Sequence, residues 1–190
     1  MVSLKKIFIL SGPAWAGKNT VWDRISQSCN DIVEESISVT TRPIRAGEVD
    51  GKHYHFISEE EFKRKIEAQD LIEYAVTHTY YYWSTYSELD RISKSGKSPI
   101  YIIDVKWMKN LKSLLEKKWY TVVTIFLLPP SIEEMKHRLR NRGTESEEQF
   151  QIRLATAMTE FEQQDFYDIR IVNDDLDKTV QELNAILYME

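Results

Sequence analysis

Apolar residues fall in short near-continuous runs separated by longer stretches of helical period. Residues 6–11, 100–105 and 121–128 are such runs, and Pro129-Pro130 stops the last of them. Runs without polar alternation suit parallel strands buried on both faces. Residues 106–117 read as a crossover helix between two of them, and 18–28 as a helix after the first. Ser131 with Glu134 caps a helix ending near 141, and Ser146 with Gln149 caps a longer one to about 163. Phe150, Leu154, Met158 and Phe161 recur there at helical spacing. A last strand at 169–172 precedes a last helix at 176–187. Strands alternating with helices predict a parallel α/β sheet with right-handed crossovers.

The stretch 36–85 breaks that rhythm and is a candidate inserted subdomain. Within it, 37–41 and 53–57 read as short strands around a polar turn, 43–52. Ser58 and Glu61 cap a helix over 59–68. Residues 71–82, rich in aromatic and β-branched side chains, read as one or two strands, and 88–94 as a helix ending near Gly96.

Composition narrows the function classes. At 190 residues, 42% hydrophobic and 29% charged, the chain is expected to be one soluble domain or one core with insertions. A net charge of −5 argues against a nucleic-acid binder. One cysteine, Cys29, excludes an internal disulfide and a cysteine-rich zinc site. The first apolar run is too short for a signal segment or a membrane span, so the expected location is cytoplasmic with no membrane partner.

Gly12-Pro13-Ala14-Trp15-Ala16-Gly17-Lys18-Asn19-Thr20 joins the first strand to the first helix and fits Gly-x-x-x-x-Gly-Lys. Glycines let the backbone curl until several N–H groups point at phosphate oxygens. The helix N-terminus adds partial positive charge and Lys18 a full one. Asn19 stands where a hydroxyl would ligate Mg²⁺, and its amide oxygen is a weaker metal ligand. Arg42 and Arg45, with Tyr54 nine residues beyond, suit either a phosphate monoester clamp or a solvated turn. The four histidines are scattered without zinc spacing.

Together these stretches resemble guanylate kinases. The resemblance rests on 12–20, on Thr40-Thr41-Arg42 through Phe56, on Ile72-Glu73 through Ser84, and on Leu128-Pro129-Pro130-Ser131. It continues in Arg138-Leu139-Arg140-Asn141-Arg142-Gly143-Thr144 and Ile171-Val172-Asn173-Asp174-Asp175-Leu176-Asp177, in the family's order along nearly the whole chain. It implies a three-layer P-loop α/β core (1–35, 86–137 and 154–190), a mixed-β GMP-binding subdomain (36–85) and a helical lid (138–153). It implies ATP and GMP as ligands, Mg²⁺ as cofactor, and a monomer or weak homodimer. Gly12 to Thr20 and Asn173 are the implied ATP site. Arg42, Arg45, Tyr54 and Tyr82 are implied to hold the GMP phosphate, and Ser38, Glu73, Ser84 and Asp104 to read guanine. A carboxylate such as Glu73 can accept from guanine N1–H and N2–H₂ together, a donor pair adenine lacks. Lys18, Arg42, Arg138, Arg142 and Arg153 are the implied charge-neutralising residues of phosphoryl transfer. Without the resemblance, Glu73 reads more readily as a strand-face carboxylate and Asp104 as a helix cap, and Asn173 reads also as a turn residue.

The sequence also departs from the family. Trp15, Trp83 and Trp107 replace usual glycines, Thr79 replaces another, and Ile102 stands where a second aspartate is usual. With Asn19, these departures predict weakened catalysis or a shifted acceptor. They leave a non-catalytic phospho-ligand binding domain as a second expectation.

Overall fold

The computed structural model describes residues 6–77, 80–140 and 146–189, with backbone alone at 73–77. Its centre is a five-stranded parallel sheet: β1 (Ile7–Ser11), β2 (Val33–Glu35), β7 (Ser98–Ile102), β8 (Val122–Leu128) and β9 (Ile169–Val172), in the order β2-β7-β1-β8-β9. Every residue of β1 is buried, as its unbroken apolar run requires. The period-2 pleat divides that run between two cores. Phe8 and Leu10 pack with Trp22 and Ile25 of α1 (Lys18–Ile25) and Leu183 and Leu187 of α7 (Leu176–Leu187). Ile7 and Ile9 pack with Leu89 of α3 (Tyr86–Lys94) and Met108, Leu111 and Leu115 of α4 (Val105–Glu116). Helices on both faces of the sheet make the three layers.

A second, mixed sheet orders β4 (His55–Phe56), β3 (Val39–Thr40), β6 (Tyr80–Thr85) and β5 (Leu71–Thr77). The β3–β4 pairing is parallel, and the β3–β6 and β5–β6 pairings are antiparallel. Alternation along β6 separates two jobs. Tyr81 and Trp83 face Phe62 of α2 (Glu59–Glu67), with ring centroids 4.4 and 4.3 Å away, and build a small core with Val39. Tyr82 and Ser84 face a cavity. Ser58 Oγ accepts the Glu61 N–H at 3.1 Å to start α2. The capping box of α6 (Glu147–Phe161) is complete, with Ser146 and Gln149 each bonding the other's backbone. Before it, α5 (Ile132–Arg140) opens on Ser131 Oγ, and after it a 3₁₀ turn spans Glu162–Phe166.

The structure departs from the sequence expectation at the end of one strand and in a strand that the sequence does not announce. The run at 100–105 yields a strand that ends at Ile102, and Val105 already opens α4 with Asp104 at its N-cap position. Edge strand β2 carries no apolar period; its polar residues are held by partners. Glu34 pairs with Arg91 at 2.7 Å and Lys97 at 3.2 Å, and Glu35 accepts Trp22 Nε1–H at 2.5 Å.

Candidate active site

The loop between β1 and α1 owes its path to two glycines. A Cβ on Gly12 would lie 2.3 Å from the carbonyl oxygen of Leu127 on β8. Gly17, the N-cap of α1, has φ +91°, and a Cβ there would lie 2.5 Å from Asn173 Nδ2. Asn173 is buried after β9; its amide donates to Ala16 O at 2.8 Å while its backbone N–H donates to Leu128 O. Asn173 therefore ties the loop to the sheet. Lys18 donates to Gly12 O at 2.7 Å and stands 3.9 Å from Asp104. Burial pushes its ammonium pKa down, against the opposing pull of Asp104 and Glu160. Asp104 makes no capping hydrogen bond in spite of its N-cap position, so its exposed carboxylate is available to the cavity.

That cavity, about 410 Å³, is lined by Lys18, Asn19, Ser38, Tyr54, Tyr82, Ser84, Asp104 and Trp107, among others. A larger cleft of about 1090 Å³ adjoins it, sharing Asn19, Ser38 and Tyr54 and adding Glu48. Strand register sets Glu73 opposite Ser84; its side chain lies outside the described residues, as do Arg142, His78 and Thr79.

Arg42 is 6% exposed and sits behind the cavity. Its guanidinium donates to both Glu48 oxygens at 2.9 and 2.7 Å, to Pro43 O at 2.8 Å and to Tyr82 Oη at 3.1 Å. Glu48 also accepts the Arg45 N–H at 2.8 Å, while the Arg45 side chain is exposed. The Tyr54 and Tyr82 rings meet edge-on at 5.7 Å. Glu48, a residue the sequence reading passed over, thus organises Arg42 and the Arg45 backbone. The Arg-x-x-Glu spacing at 45–48 is the signal that could have found it.

At the end of α5, Arg138 pairs with Glu134 at 2.8 Å within the helix. Arg153 of α6 lies over the Trp15 ring, 5.5 Å from its centroid. Arg153 and Lys18 therefore approach the same loop, while Arg138 is held on its own helix.

Known proteins resemble this chain along nearly its whole length. A family profile described as guanylate kinase matches residues 4–190. The chain is 40% identical over 182 residues to a guanylate kinase of Sulfurimonas denitrificans, covering 95% of this chain and 85% of that one. It is 41% identical over 184 residues to one from Protochlamydia amoebophila, covering 97% and 90%. This chain belongs to the guanylate kinase family. The crystal structure of guanylate kinase from Anaplasma phagocytophilum superposes with a TM-score of 0.70 at 30% identity, covering 97% of this chain and 85% of that one.

Against that family the three tryptophans separate into three cases. Trp83 is 2% exposed and fills the small core with extended backbone. Trp107 sits in the first turn of α4 and lines the cavity, with the Lys106 ammonium 4.9 Å from its ring centroid. Of the three, Trp15 has the left-handed backbone that glycine favours, at φ +67°, which costs on the order of 1–2 kcal/mol.

The Arg42–Glu48 pair carries a pH signature. The Arg42 guanidinium first, and the Arg45 N–H second, hold the Glu48 carboxyl down to about 2. A depressed carboxyl contributes stability above its unfolded pKa of about 4.3, and that contribution is lost as pH falls through the folded value. An NMR titration of Glu48 should show a midpoint near 2. Glu48→Gln should flatten the acid limb of stability between about pH 4 and 2. A Glu48 midpoint at an ordinary carboxylate value would refute the clamp.

Proposed function

We propose that this chain transfers a phosphoryl group from ATP to GMP or dGMP, giving ADP and GDP or dGDP. The observation that supports this most is the single cavity bounded by Lys18 of the glycine loop on one side and by Tyr54, Tyr82 and Ser84 of the mixed sheet on the other. On this reading residues 1–35, 86–137 and 154–190 are the core, 36–85 the GMP-binding subdomain and 138–153 the lid. The enzyme is cytoplasmic and works as a monomer or weak homodimer.

A GMP phosphate oxygen attacks the γ-phosphorus, and the bond from that phosphorus to the β,γ-bridging oxygen breaks. The nucleophile is already an anion, so no general base is needed, and catalysis rests on positioning and charge. Loop N–H groups from Gly12 to Thr20 and the Lys18 ammonium take the donor phosphates. Arg42, Arg45, Tyr54 and Tyr82 take the acceptor phosphate. Because Tyr82 Oη accepts from Arg42 Nε, its own O–H is left to donate. Arg138, Arg142 and Arg153 neutralise charge as it moves, Arg138 exchanging Glu134 for phosphate. Ser38, Glu73, Ser84 and Asp104 read the guanine, and Asn173 holds the donor loop against the sheet near the adenine side.

The residues present suit Mg²⁺. Asn19 and Asp104 offer hard oxygen donors in one cavity, and among the described residues no cluster of three His, Cys, Asp or Glu makes a cage. Asn19 would help hold the cation, with Asp104 kept for the guanine, and the cation would supply charge neutralisation on the donor phosphates.

The test compares GMP, dGMP, AMP, CMP and UMP as acceptors in a coupled ADP assay. GMP and dGMP should turn over, with kcat/KM for the other three lower by at least about a thousandfold, because the wrong base leaves a base-reading carboxylate unpaired. Equal turnover of all five would remove the base-reading role of Glu73.

A further inference from the structure

The donor loop holds Trp15 at φ +67°, and such a residue persists where its surroundings over-determine it. The residue just before it is gripped from outside the loop: the Ala14 N–H donates to Glu160 Oε2 of α6 at 3.1 Å. The same helix reaches the strained residue itself, through Arg153 over the Trp15 ring. Arg153, Ala157 and Glu160 are spaced i, i+4, i+7 and share one helix face. Ala157 between them is fully buried, so a small residue lets that face come close to its neighbours. Glu160 is also within electrostatic reach of Lys18, Asp104 and Lys106. The carboxylate therefore stands where donor loop, transfer lysine and lid-bearing helix meet.

We infer that Glu160 is a positioning residue, which anchors the donor loop at its strained turn and keeps loop and Arg153 in one register. This inference rests on the proposed ATP site. The hydrogen bond to Ala14 carries the role, so an amide oxygen at the same reach should replace the carboxylate. Glu160 touches neither substrate in this account and acts through the backbone of 14–15.

The experiment measures ATP and GMP affinity by calorimetry, each nucleotide alone, for wild type, Glu160→Gln and Glu160→Ala. Glu160→Ala should weaken ATP binding about tenfold, the size of one lost charge-assisted hydrogen bond. Glu160→Gln should stay within about threefold of wild type by keeping the acceptor. GMP affinity should be unchanged in both. With both nucleotides present, kcat of Glu160→Ala should fall while KM for GMP holds. Glu160→Met keeps the side-chain length without a strong acceptor, so its ATP affinity, expected to fall as in Glu160→Ala, decides the matter should the alanine variant misfold. ATP affinity equal to wild type in Glu160→Ala overturns the inference. Tighter ATP binding also overturns it, since the carboxylate would then be a competitor for the phosphate site. Glu160→Gln as impaired as Glu160→Ala overturns it by making charge the cause. Wild type that binds ATP without phosphorylating GMP would instead refute the proposed reaction and leave the anchor measurable.

Discussion

Lys18→Ala should lower kcat for GMP phosphorylation by at least a hundred- to a thousandfold, the range seen when one preorganised electrostatic donor is removed. Lys18 joins the glycine loop to the cavity: its ammonium bonds Gly12 O at 2.7 Å and lies 3.9 Å from Asp104 on the cavity wall. Burial already lowers its pKa, so the charge sits in a poorly solvated place where it stabilises developing phosphate charge more than in water. The lost interactions are few on the stability side, and the melting temperature should move by no more than a few degrees. The check is a coupled assay alongside thermal unfolding. Undiminished turnover in the alanine variant would contradict the mechanism. Lost turnover with a collapsed melting temperature would assign Lys18 a structural role instead.

Gly12→Ala should be the costliest small change in the loop. Its methyl group would meet Leu127 O at 2.3 Å, Leu127 C at 3.2 Å and Ala16 Cβ at 3.3 Å. The first two are backbone atoms of a strand paired on both sides, so relief requires displacing β8 from its register with β1 or β9. Overpacking of this kind costs about 3 kcal/mol or more, or roughly 6–12 °C for a chain of this size. Gly47→Ala is the control. It has φ +86° with nothing within 4 Å of its added methyl, so it pays a backbone cost of about 1 kcal/mol. Thermal unfolding of the two variants side by side makes the comparison. Equal losses would mean that contact with Leu127 is not what requires glycine at 12.

Much of this architecture is legible along the chain because burial on both faces leaves an unmistakable trace. The run that becomes β1 has no polar interruption until Ser11, and the glycine loop follows it at once. Strand β2 left no such trace. Its Glu34 and Glu35 are satisfied by Arg91, Lys97 and Trp22 from elsewhere in the chain, and pairwise polar satisfaction has no sequence period. The tryptophans teach a related lesson. Three departures from glycine look alike in sequence, yet Trp83 is buried in the small core at the cavity's edge, Trp107 lines the cavity from α4, and of the three Trp15 alone bears positive φ.

The candidate site divides the same way. Lys18, Asn19, Ser38, Tyr54, Tyr82, Ser84 and Asp104, separated by up to 86 positions in sequence, line one cavity. The carboxylates that organise it were not visible. Glu48 is one acid in a polar turn, and Glu160 is one of several on its helix. Their partners, Arg42 and the Ala14 N–H, become neighbours through the tertiary fold. Arg138 shows the converse. Its spacing from Arg142 and Arg153 suggests a shared polyphosphate, and its partner in the fold is Glu134, one turn back on its own helix, which a phosphate would have to displace.

A cavity that joins two nucleotides for phosphoryl transfer should make ADP formation from Mg²⁺-ATP depend on GMP. The GMP-dependent rate should be about 1–100 s⁻¹, with little ADP formed when GMP is absent. ADP formation that GMP does not accelerate would contradict that role of the cavity.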